Sequence, residues 1–481
     1  MTQSIDGRKR WWALLVLCLG DLMIVLDTTI VNVALPSIRS DLGFSETSLA
    51  WVVNAYLLTF GGFLLLGGRL GDLFGHRRLF VTGIGLFTAA SLLCGLSTSQ
   101  GMLVAARAVQ GLGGAVVSAV ALSLIMMLFT DPIERTKAMG FFGFVMAAGG
   151  SIGVLLGGVL TDTLSWHWVF LVNLPIGAAV FALTFALIPG GRGQGRAKVD
   201  VAGAATVTLS LMLAVYAVVN GNGVGWTSAR TLGLLAAAAA LMVAFLVIES
   251  RVESPLVPLR LFKLRNVSSA NVIGVLWAAA MFSSFFLTAL YLQLVLGYKP
   301  LDVGLTFLPA NVIMAVFSLG LSARIVMRFG IKLPIAAGMT LVAAGLLLFV
   351  RAPVDGNVFV DVIPAMIVFG IGAGLAFNPV LLAAMSDVEQ SEAGLASGVV
   401  NTAFMMGGAL GLAVLASLAA SRTSSLRADG ESALVALNGG YHVAFAVGAL
   451  FTLAAGVVAA VVLREAKPAH EAAREPALAE G

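Results

Sequence analysis

The sequence predicts an all-α polytopic membrane protein with fourteen transmembrane helices. Three observations lead to this prediction. Hydrophobic residues make up 59% of the 481 residues and charged residues only 11%, whereas a typical soluble domain has about 25% charged residues. The mean hydropathy is +1.00. Apolar segments of about 20 residues, the length that a helix needs to cross a membrane, recur along the whole chain.

Apolar segments of this length occur fourteen times. They lie near residues 12–33, 48–68, 79–97, 102–129, 138–160, 167–188, 201–220, 231–248, 268–292, 303–323, 333–350, 361–384, 395–420 and 442–463. The first resembles a signal peptide, but it is too long, contains two aspartates and is followed by no small-residue cleavage site. We therefore expect it to be retained as the first span.

The lysines and arginines test this count independently. With the N-terminus inside, 21 of the 28 lie in predicted cytoplasmic segments, 6 lie in predicted outer segments, and Arg107 lies inside a span. Cytoplasmic loops carry the excess of Lys and Arg, and one span too many or too few would invert every later loop. The sequence thus predicts fourteen spans with both termini in the cytoplasm.

Two long predicted inner connections, 189–200 and 249–266, bracket spans seven and eight. The chain therefore divides into a six-helix half (1–190), an inserted helix pair with its linkers (191–262), a second six-helix half (263–464) and a cytoplasmic tail (465–481). The halves resemble distant repeats. "GGRLGDLFGHRR" (67–78) and "GLSARIVMRFGIK" (320–332) end the second span of each half, while "GGSIGVLLGG" (149–158) and "GGALG" (407–411) lie in the fifth. Repeated halves are a known plan of transporters.

Motifs of most enzymes and of ATP-driven proteins are missing from the sequence. It contains no G-x-x-x-x-G-K-S/T loop, no HExxH and no CxxC, and its four histidines have no metal-site spacing. The basic residues are scattered over short loops instead of forming a nucleic-acid patch. We expect a protein that is not an enzyme and that binds no metal, organic cofactor or nucleic acid.

Five motifs in combination resemble a known family. They are "LDTTIVNVALP" (26–36), "GGRLGDLFGHRR", "RAVQGLGGA" (107–115), "GGSIGVLLGG" and "WHWVFLVNLPIG" (166–177). From about residue 12 to 464, the chain resembles the fourteen-helix drug:proton antiporters of the major facilitator superfamily. The resemblance implies the major-facilitator fold and export of drugs by alternating access, driven by inward proton flow across the bacterial cell membrane. The excess of 21 arginines over 7 lysines fits a GC-rich genome, such as that of an antibiotic-producing actinobacterium.

Asp27 and Arg107 are charged residues within predicted spans, where a charge is costly and usually functional. At 1.5 Å per residue, each lies roughly 8–10 Å below the outer end of its span, so an ion pair is possible if spans one and four are neighbours. Burial disfavours the charged carboxylate and a guanidinium favours it, so a small movement could switch proton binding. We expect Asp27 to carry the proton or to meet a cationic substrate, with Arg107 tuning it. A permanent salt bridge between helices is the alternative.

Asp21 is a second carboxylate in the first span. It lies six residues from Asp27, about 240° around a helix, so the two do not share a face. It is a candidate for an additional charge site, and the alternative is a buried hydrogen-bond partner.

The motif at 67–78 resembles the cytoplasmic gate motif of the family. Gly68 allows close backbone approach and Gly75 permits a tight turn, while Asp72 can pair with Arg77 or Arg78 to close the gate. Positive-inside anchoring would explain the arginines without a gate.

Span five carries Gly149, Gly153 and Gly157 at intervals of four residues, followed by Gly158. Such a seam lets another helix approach closely and slide, although static packing explains it equally well. Antiporters of the family carry this motif with a proline where Val154 stands here.

Embedded amides are candidates for a substrate cavity or for hydrogen bonds between helices. They are Asn32, Gln110, Asn173, Gln293 and Asn401, together with Asn271 and Asn311. Phe282, Phe285, Phe286, Met405 and Met406 are candidates for an adaptable apolar wall, or they face lipid.

The resulting prediction is a proton-driven exporter of drugs or antibiotics whose partners are the drug, protons and the lipid bilayer. An exporter of an endogenous metabolite and a proton-coupled importer of the same fold remain as alternatives. A channel or a membrane sensor is the alternative from a different class.

Overall fold

The computed structural model describes residues 7–188, 200–253, 255–317, 321–388 and 393–465. We number its long helices α1 to α14, one for each predicted span. They are α1 (Gly7–Leu42), α2 (Trp51–Phe74), α3 (His76–Gly95), α4 (Gln100–Leu128), α5 (Pro132–Thr163), α6 (Asn173–Leu187), α7 (Val201–Val224), α8 (Ala229–Arg251), α9 (Arg265–Leu290), α10 (Pro300–Val316), α11 (Lys332–Phe349), α12 (Ile363–Met385), α13 (Ala393–Ala428) and α14 (Ala433–Val461).

Thirteen helices in the described part of the chain are long and apolar enough to cross a membrane, and α10 is a shorter apolar helix. The helix of the predicted tenth span, 303–323, ends seven residues early, at Val316. It starts at Pro300, which suits the first turn of a helix because proline lacks the N–H that would be unsatisfied there. Residues 318–320 lie outside the described ranges, and the next helix is Ser322–Phe329.

Local signals in the loops set many helix ends. The side chains of Ser99, Asp131, Asp200, Ser228 and Ser432 accept backbone N–H groups at the starts of α4, α5, α7, α8 and α14. These contacts satisfy donors that a helix start leaves without partners. Between α2 and α3, Gly75 has a φ of 91°, which favours glycine, so the chain turns there within a single residue.

The packing of α1–α6 recurs in α9–α14. In the first set, α1 packs on α5 and α6, and α4 packs on α2 and α3; in the second, α9 packs on α13 and α14, and α12 packs on α10 and α11. Adding eight to each helix number converts one set of contacts into the other. The two sets contact each other chiefly where α5 packs on α10 and where α2 packs on α13. The same rule relates these two contacts, since adding eight to α5 and α2 gives α13 and α10.

The inserted pair, α7 and α8, contacts both sets through α7. Helix α7 contacts α2 and α13. The Asn222 amide donates to the Ser417 carbonyl oxygen at 2.7 Å, and the Tyr216 ring lies 6.4 Å from that of Trp51. Helix α7 therefore lies where α2 and α13 meet, and α8 packs on α7. The division at residues 190, 262 and 464 stays a prediction, since 191–199 and 466–481 lie outside the described ranges.

Candidate functional site

The polar centre of the first set is built around Asp27 on α1. Arg107 and Gln110 lie one turn apart on α4, and Arg107 Nη1 forms an ion pair with Asp27 Oδ2. Gln110 Nε2 and Asn173 Nδ2 donate to Asp27 Oδ1 at 2.7 and 3.1 Å. The exposed fraction is 1% for Arg107 and 0% for Asp27, Gln110 and Asn173. Three side chains from α4 and α6 thus share the Asp27 carboxylate, out of contact with solvent.

Further hydrogen bonds fix the orientation of these side chains. Arg107 Nη1 also donates to Gln110 Oε1 at 2.7 Å, and Arg107 Nε donates to the Val52 carbonyl oxygen at 2.9 Å. The Ser91 hydroxyl on α3 accepts from Gln110 at 3.1 Å and from Asn173 at 3.0 Å, and it donates to the Phe170 carbonyl oxygen at 2.8 Å. The network therefore joins α1, α2, α3, α4 and the start of α6.

Two aromatic rings cover the guanidinium. Arg107 Cζ lies 4.5 Å from the ring centroid of Tyr56 and 5.6 Å from that of Phe170. Such contacts stabilise a cation when water is excluded. Removing one partner of a buried ion pair costs about 3–5 kcal/mol, because the other charge is left uncompensated. The site therefore stabilises Arg107 as a cation and Asp27 as a carboxylate together. Any change in the charge of Asp27 would leave the charge of Arg107 uncompensated.

The structure brings Asp27 and Arg107 together, as expected from the sequence. It also places Gln110 and Asn173 at the same site. Asp21 lies elsewhere on α1, fully buried, and neither of its carboxyl oxygens has a hydrogen bond among the described residues. Sequence reasoning missed Ser91, Tyr56 and the Val52 carbonyl. Ser91 and Tyr56 are single polar side chains in apolar segments, and only the neighbouring helices distinguish them from ordinary packing residues.

The predicted gate motif lies at the turn between α2 and α3. Arg77 donates to the Phe185 carbonyl oxygen at 2.9 Å and lies over the Phe185 ring, so it contacts the end of α6. Arg78 is exposed, and Gly68 has open space beside its Cα. The side chain of Asp72 lies outside what the structure describes. The pairing predicted for Asp72 therefore stays a prediction.

The glycine seam on α5 faces two different helices. A Cβ at Gly149 would lie 2.9 Å from Leu22, one at Gly153 would lie 3.2 Å from the Leu26 carbonyl oxygen, and one at Gly157 would lie 2.6 Å from the Ile30 carbonyl oxygen. These three glycines therefore pack against α1. A Cβ at Gly158 would lie 2.8 Å from the Pro300 carbonyl oxygen in the second set. One short segment of α5 thus contacts both Asp27's helix and the other half.

The remaining predicted cavity amides are dispersed. Asn32, Asn271, Asn311 and Asn401 each donate to a backbone carbonyl one turn earlier in their own helix. Gln293 instead crosses between the two sets and donates to the Val33 carbonyl oxygen at 2.9 Å. A substrate contact for any of them stays a prediction.

The apolar candidates lie on α9 and α13. Phe282 packs edge-on against Phe404, with ring centroids 5.9 Å apart, and Phe286 is buried. Met405 and Met406 face Gly61 on α2, where the two sets meet.

Known proteins resemble this chain over most of its length. The sequence profile described as Major Facilitator Superfamily matches residues 17–412. The puromycin resistance protein pur8 of Streptomyces alboniger is 39% identical over 455 residues, which cover 93% of this chain and 90% of that protein. The cephamycin export protein CmcT of Amycolatopsis lactamdurans is 38% identical over 453 residues, which cover 94% and 92%.

A solved structure supports the same fold. A bacterial homologue of the human lysosomal transporter Spinster, in an inward-facing and unoccupied conformation, has a TM-score of 0.68. It is 15% identical, and the match covers 95% of this chain and 98% of that one. The fold, the profile and the relatives agree: this chain belongs to the major facilitator superfamily of membrane transporters.

Proposed function

We propose that this protein exports antibiotic-like small molecules across the bacterial cell membrane in exchange for protons. The observation that carries the proposal is the buried Asp27–Arg107 pair with its amide partners, in a chain whose relatives are named for antibiotic resistance and export. A buried acid whose charge affects several helices is the kind of group that proton coupling requires. The proton-motive force supplies the energy.

Asp27 is the group that binds the transported proton. As a carboxylate, it accepts hydrogen bonds from Arg107, Gln110 and Asn173. As a neutral acid, it loses its Coulomb attraction to Arg107. The guanidinium then still has Gln110 Oε1 and the Val52 carbonyl oxygen as acceptors, which limits the cost of leaving it buried. Proton binding therefore weakens the contact between α1 and α4, while Arg107 keeps hydrogen-bond partners.

This loosening affects the boundary between the two halves. Helix α1 packs against Gly149, Gly153 and Gly157 of α5, and Gly158 of α5 packs against the start of α10. A shift of α1 can therefore move α5 against α10. Packed helices with glycine contacts have discrete alternative arrangements, which is what alternating access needs. The turn with Asp72, Arg77 and Arg78 acts as the gate at the opposite end.

The orientation of the chain follows from its charges. The distribution of 21 basic residues against 6 favours cytoplasmic termini. In this orientation α1 starts inside, and Asp27 lies in the outer half of the membrane. It is then reached by protons from outside, in keeping with inward proton flow.

Transport by the purified full-length protein tests this function. Proteoliposomes containing a pH dye would be given an inward or outward proton gradient, with puromycin and a cephamycin as probes. We expect drug movement against the proton flow in the wild type and its loss in Asp27→Asn, while Asp302→Asn, the same change at an exposed acid in the first turn of α10, retains it. Drug movement that is independent of the proton gradient would contradict antiport. Full proton-driven movement in Asp27→Asn would remove Asp27 from the mechanism.

A further inference from the structure

A second carboxyl, Asp21, is enclosed within the first set of helices without an assigned role. It lies six residues before Asp27, which is about 9 Å along α1 towards the predicted cytoplasmic end. Its side chain is 0% exposed, and in the described part of the chain neither oxygen has a partner at normal hydrogen-bond geometry, although the Ser118 hydroxyl lies close to it. An isolated carboxylate in such a place is costly, and the neutral acid is the form that the site holds at least cost.

The groups around Asp21 come from each helix packed near it. On α1 itself the titratable neighbour is Cys18, on α2 it is Tyr56, and on α4 the polar neighbour is Ser118. The facing residues of α3, Phe80 and Ile84, pack at Gly20, and α5 packs Gly149 against Leu22. None of these groups carries a positive charge. Asp21 therefore differs from Asp27, whose charge is balanced by Arg107.

Tyr56 lies within electrostatic range of both acids. Its ring covers Arg107, and its hydroxyl lies 2.9 Å from the position that a Cβ would take at Gly114. Tyr56 is 1% exposed, and its hydroxyl also has no hydrogen-bond partner among the described residues. A buried hydroxyl that forms no hydrogen bond is uncommon and calls for an explanation.

These groups follow one face of α4. Arg107, Gln110, Gly114 and Ser118 are spaced by three, four and four residues, so they lie within one stripe of the helix. Asp27 meets the stripe at Arg107 and Gln110, Tyr56 meets it at Gly114, and Asp21 meets it at Ser118. Three protonatable side chains are thus arranged in order along a single helix face, from the predicted outer half to the inner half.

We propose that Asp21 is a second proton-binding site, which receives the transported proton from Asp27 through the Tyr56 hydroxyl and releases it to the cytoplasm. This step rests on the proposed antiport. Asp21 first releases the proton it holds to the cytoplasm, and the acid proton of Asp27 then passes to the Tyr56 oxygen while the hydroxyl's own proton passes to the Asp21 carboxylate. Tyr56 is neutral before and after, Asp27 becomes a carboxylate that again attracts Arg107, and Asp21 becomes the neutral acid. Rotation of the phenol or one bridging water closes the remaining gaps.

The test separates proton movement from drug binding. In proteoliposomes with puromycin as the probe, drug–drug exchange at equal pH needs no net proton transfer, whereas proton-driven efflux does. For Asp21→Asn and Tyr56→Phe we expect exchange close to that of the wild type and proton-driven efflux lowered at least about tenfold. Asp21→Glu, which retains a protonatable group, should recover part of the efflux. Tyr441→Phe is the matched control, because Tyr441 is also 1% exposed and its hydroxyl has no hydrogen-bond partner within the ranges that the structure describes, but it lies on α14.

Two results would overturn the proposal. One is proton-driven efflux in Asp21→Asn of more than half the wild-type rate; the other is an equal loss of exchange and efflux, which indicates a structural role. A wild type whose net puromycin efflux is equally fast with and without a proton gradient would instead contradict the proposed antiport. Infrared spectroscopy of the protein without drug then tests Asp21 directly. A carboxylic-acid carbonyl band present at neutral pH in the wild type and in Asp27→Asn should be lost in Asp21→Asn, and its persistence there would also overturn the proposal.

Discussion

Gln110 donates to Asp27 at 2.7 Å from one end of its amide, and its other end accepts from Arg107 at 2.7 Å. One neutral side chain thus contacts both members of a buried ion pair. The Gln110 amide offers a donor to Asp27 and an acceptor to Arg107. Both groups of the amide are available whether or not Asp27 is charged. The pair can therefore open without leaving both charged groups unsatisfied, which distinguishes this site from a simple salt bridge between two helices.

Arg107→Ala should destabilise the protein by about 3–5 kcal/mol, because it leaves the Asp27 carboxylate buried without its cation. The double variant Asp27→Asn/Arg107→Ala should recover much of this loss, since no unpaired charge remains. Thermal unfolding of the purified protein in detergent measures both effects. If the double variant is no more stable than Arg107→Ala alone, the pair does not control the stability of this site.

Gly153→Ala should lower both stability and transport, because the added methyl meets Thr29 and the Leu26 carbonyl oxygen on α1. Gly143→Ala is the matched control on the same helix, since a Cβ at Gly143 has open space around it. Gly153→Ala should have both a lower melting temperature and a lower rate of drug efflux than Gly143→Ala. Equal behaviour of the two would show that close packing of α1 on α5 is not required.

Gln293→Leu should favour separation of the two halves at the predicted outer end, because it removes the hydrogen bond to Val33. The loss of one such bond is worth about 0.5–1.5 kcal/mol, which shifts a two-state equilibrium several-fold. Labelling of single cysteines placed in the outer loops measures the shift. Asn401→Leu, which removes only a hydrogen bond within α13, should leave the labelling unchanged; an identical response of both variants would argue against a role for Gln293.

Gly114→Ala should displace the Tyr56 hydroxyl, because the new methyl would lie 2.9 Å from it. We expect proton-driven efflux to fall while drug–drug exchange is retained, as for Tyr56→Phe. Gly101→Ala, on the same helix with open space beside its Cα, should transport like the wild type. Unchanged efflux in Gly114→Ala would show that the position of the hydroxyl does not matter.

Much of the fold could be predicted from the sequence because its signals are local. Membrane thickness determines the length of an apolar segment, and the charge of each loop identifies its side, so the fourteen helices follow without knowledge of contacts. Pro300 and Gly75 mark a helix start and a turn through their own backbone preferences. The end of the tenth span was less predictable, because the apolar segment 303–323 continues where the helix α10 stops at Val316.

The candidate site was only partly predictable. A charge in an apolar segment is conspicuous, so Asp27, Asp21 and Arg107 could be selected, and matching depth suggested that Asp27 and Arg107 meet. Gln110 and Asn173 were found as polar residues, but their place beside Asp27 depends on how α4 and α6 are rotated. That rotation results from the packing of whole helix faces, which a list of spans does not contain.

The sequence by itself determined that this protein is a chain of membrane-spanning helices. It also determined which orientation in the membrane the charges favour and which carboxyl groups are costly to bury. Only the tertiary structure decided which of those carboxyl groups has a cation. Asp27 and Asp21 are the same residue type on the same helix, yet one forms an ion pair with Arg107 and the other lies near the Ser118 hydroxyl. The physical reason is that hydropathy depends on each residue alone, whereas the electrostatic environment of a buried acid depends on side chains that distant helices bring to it.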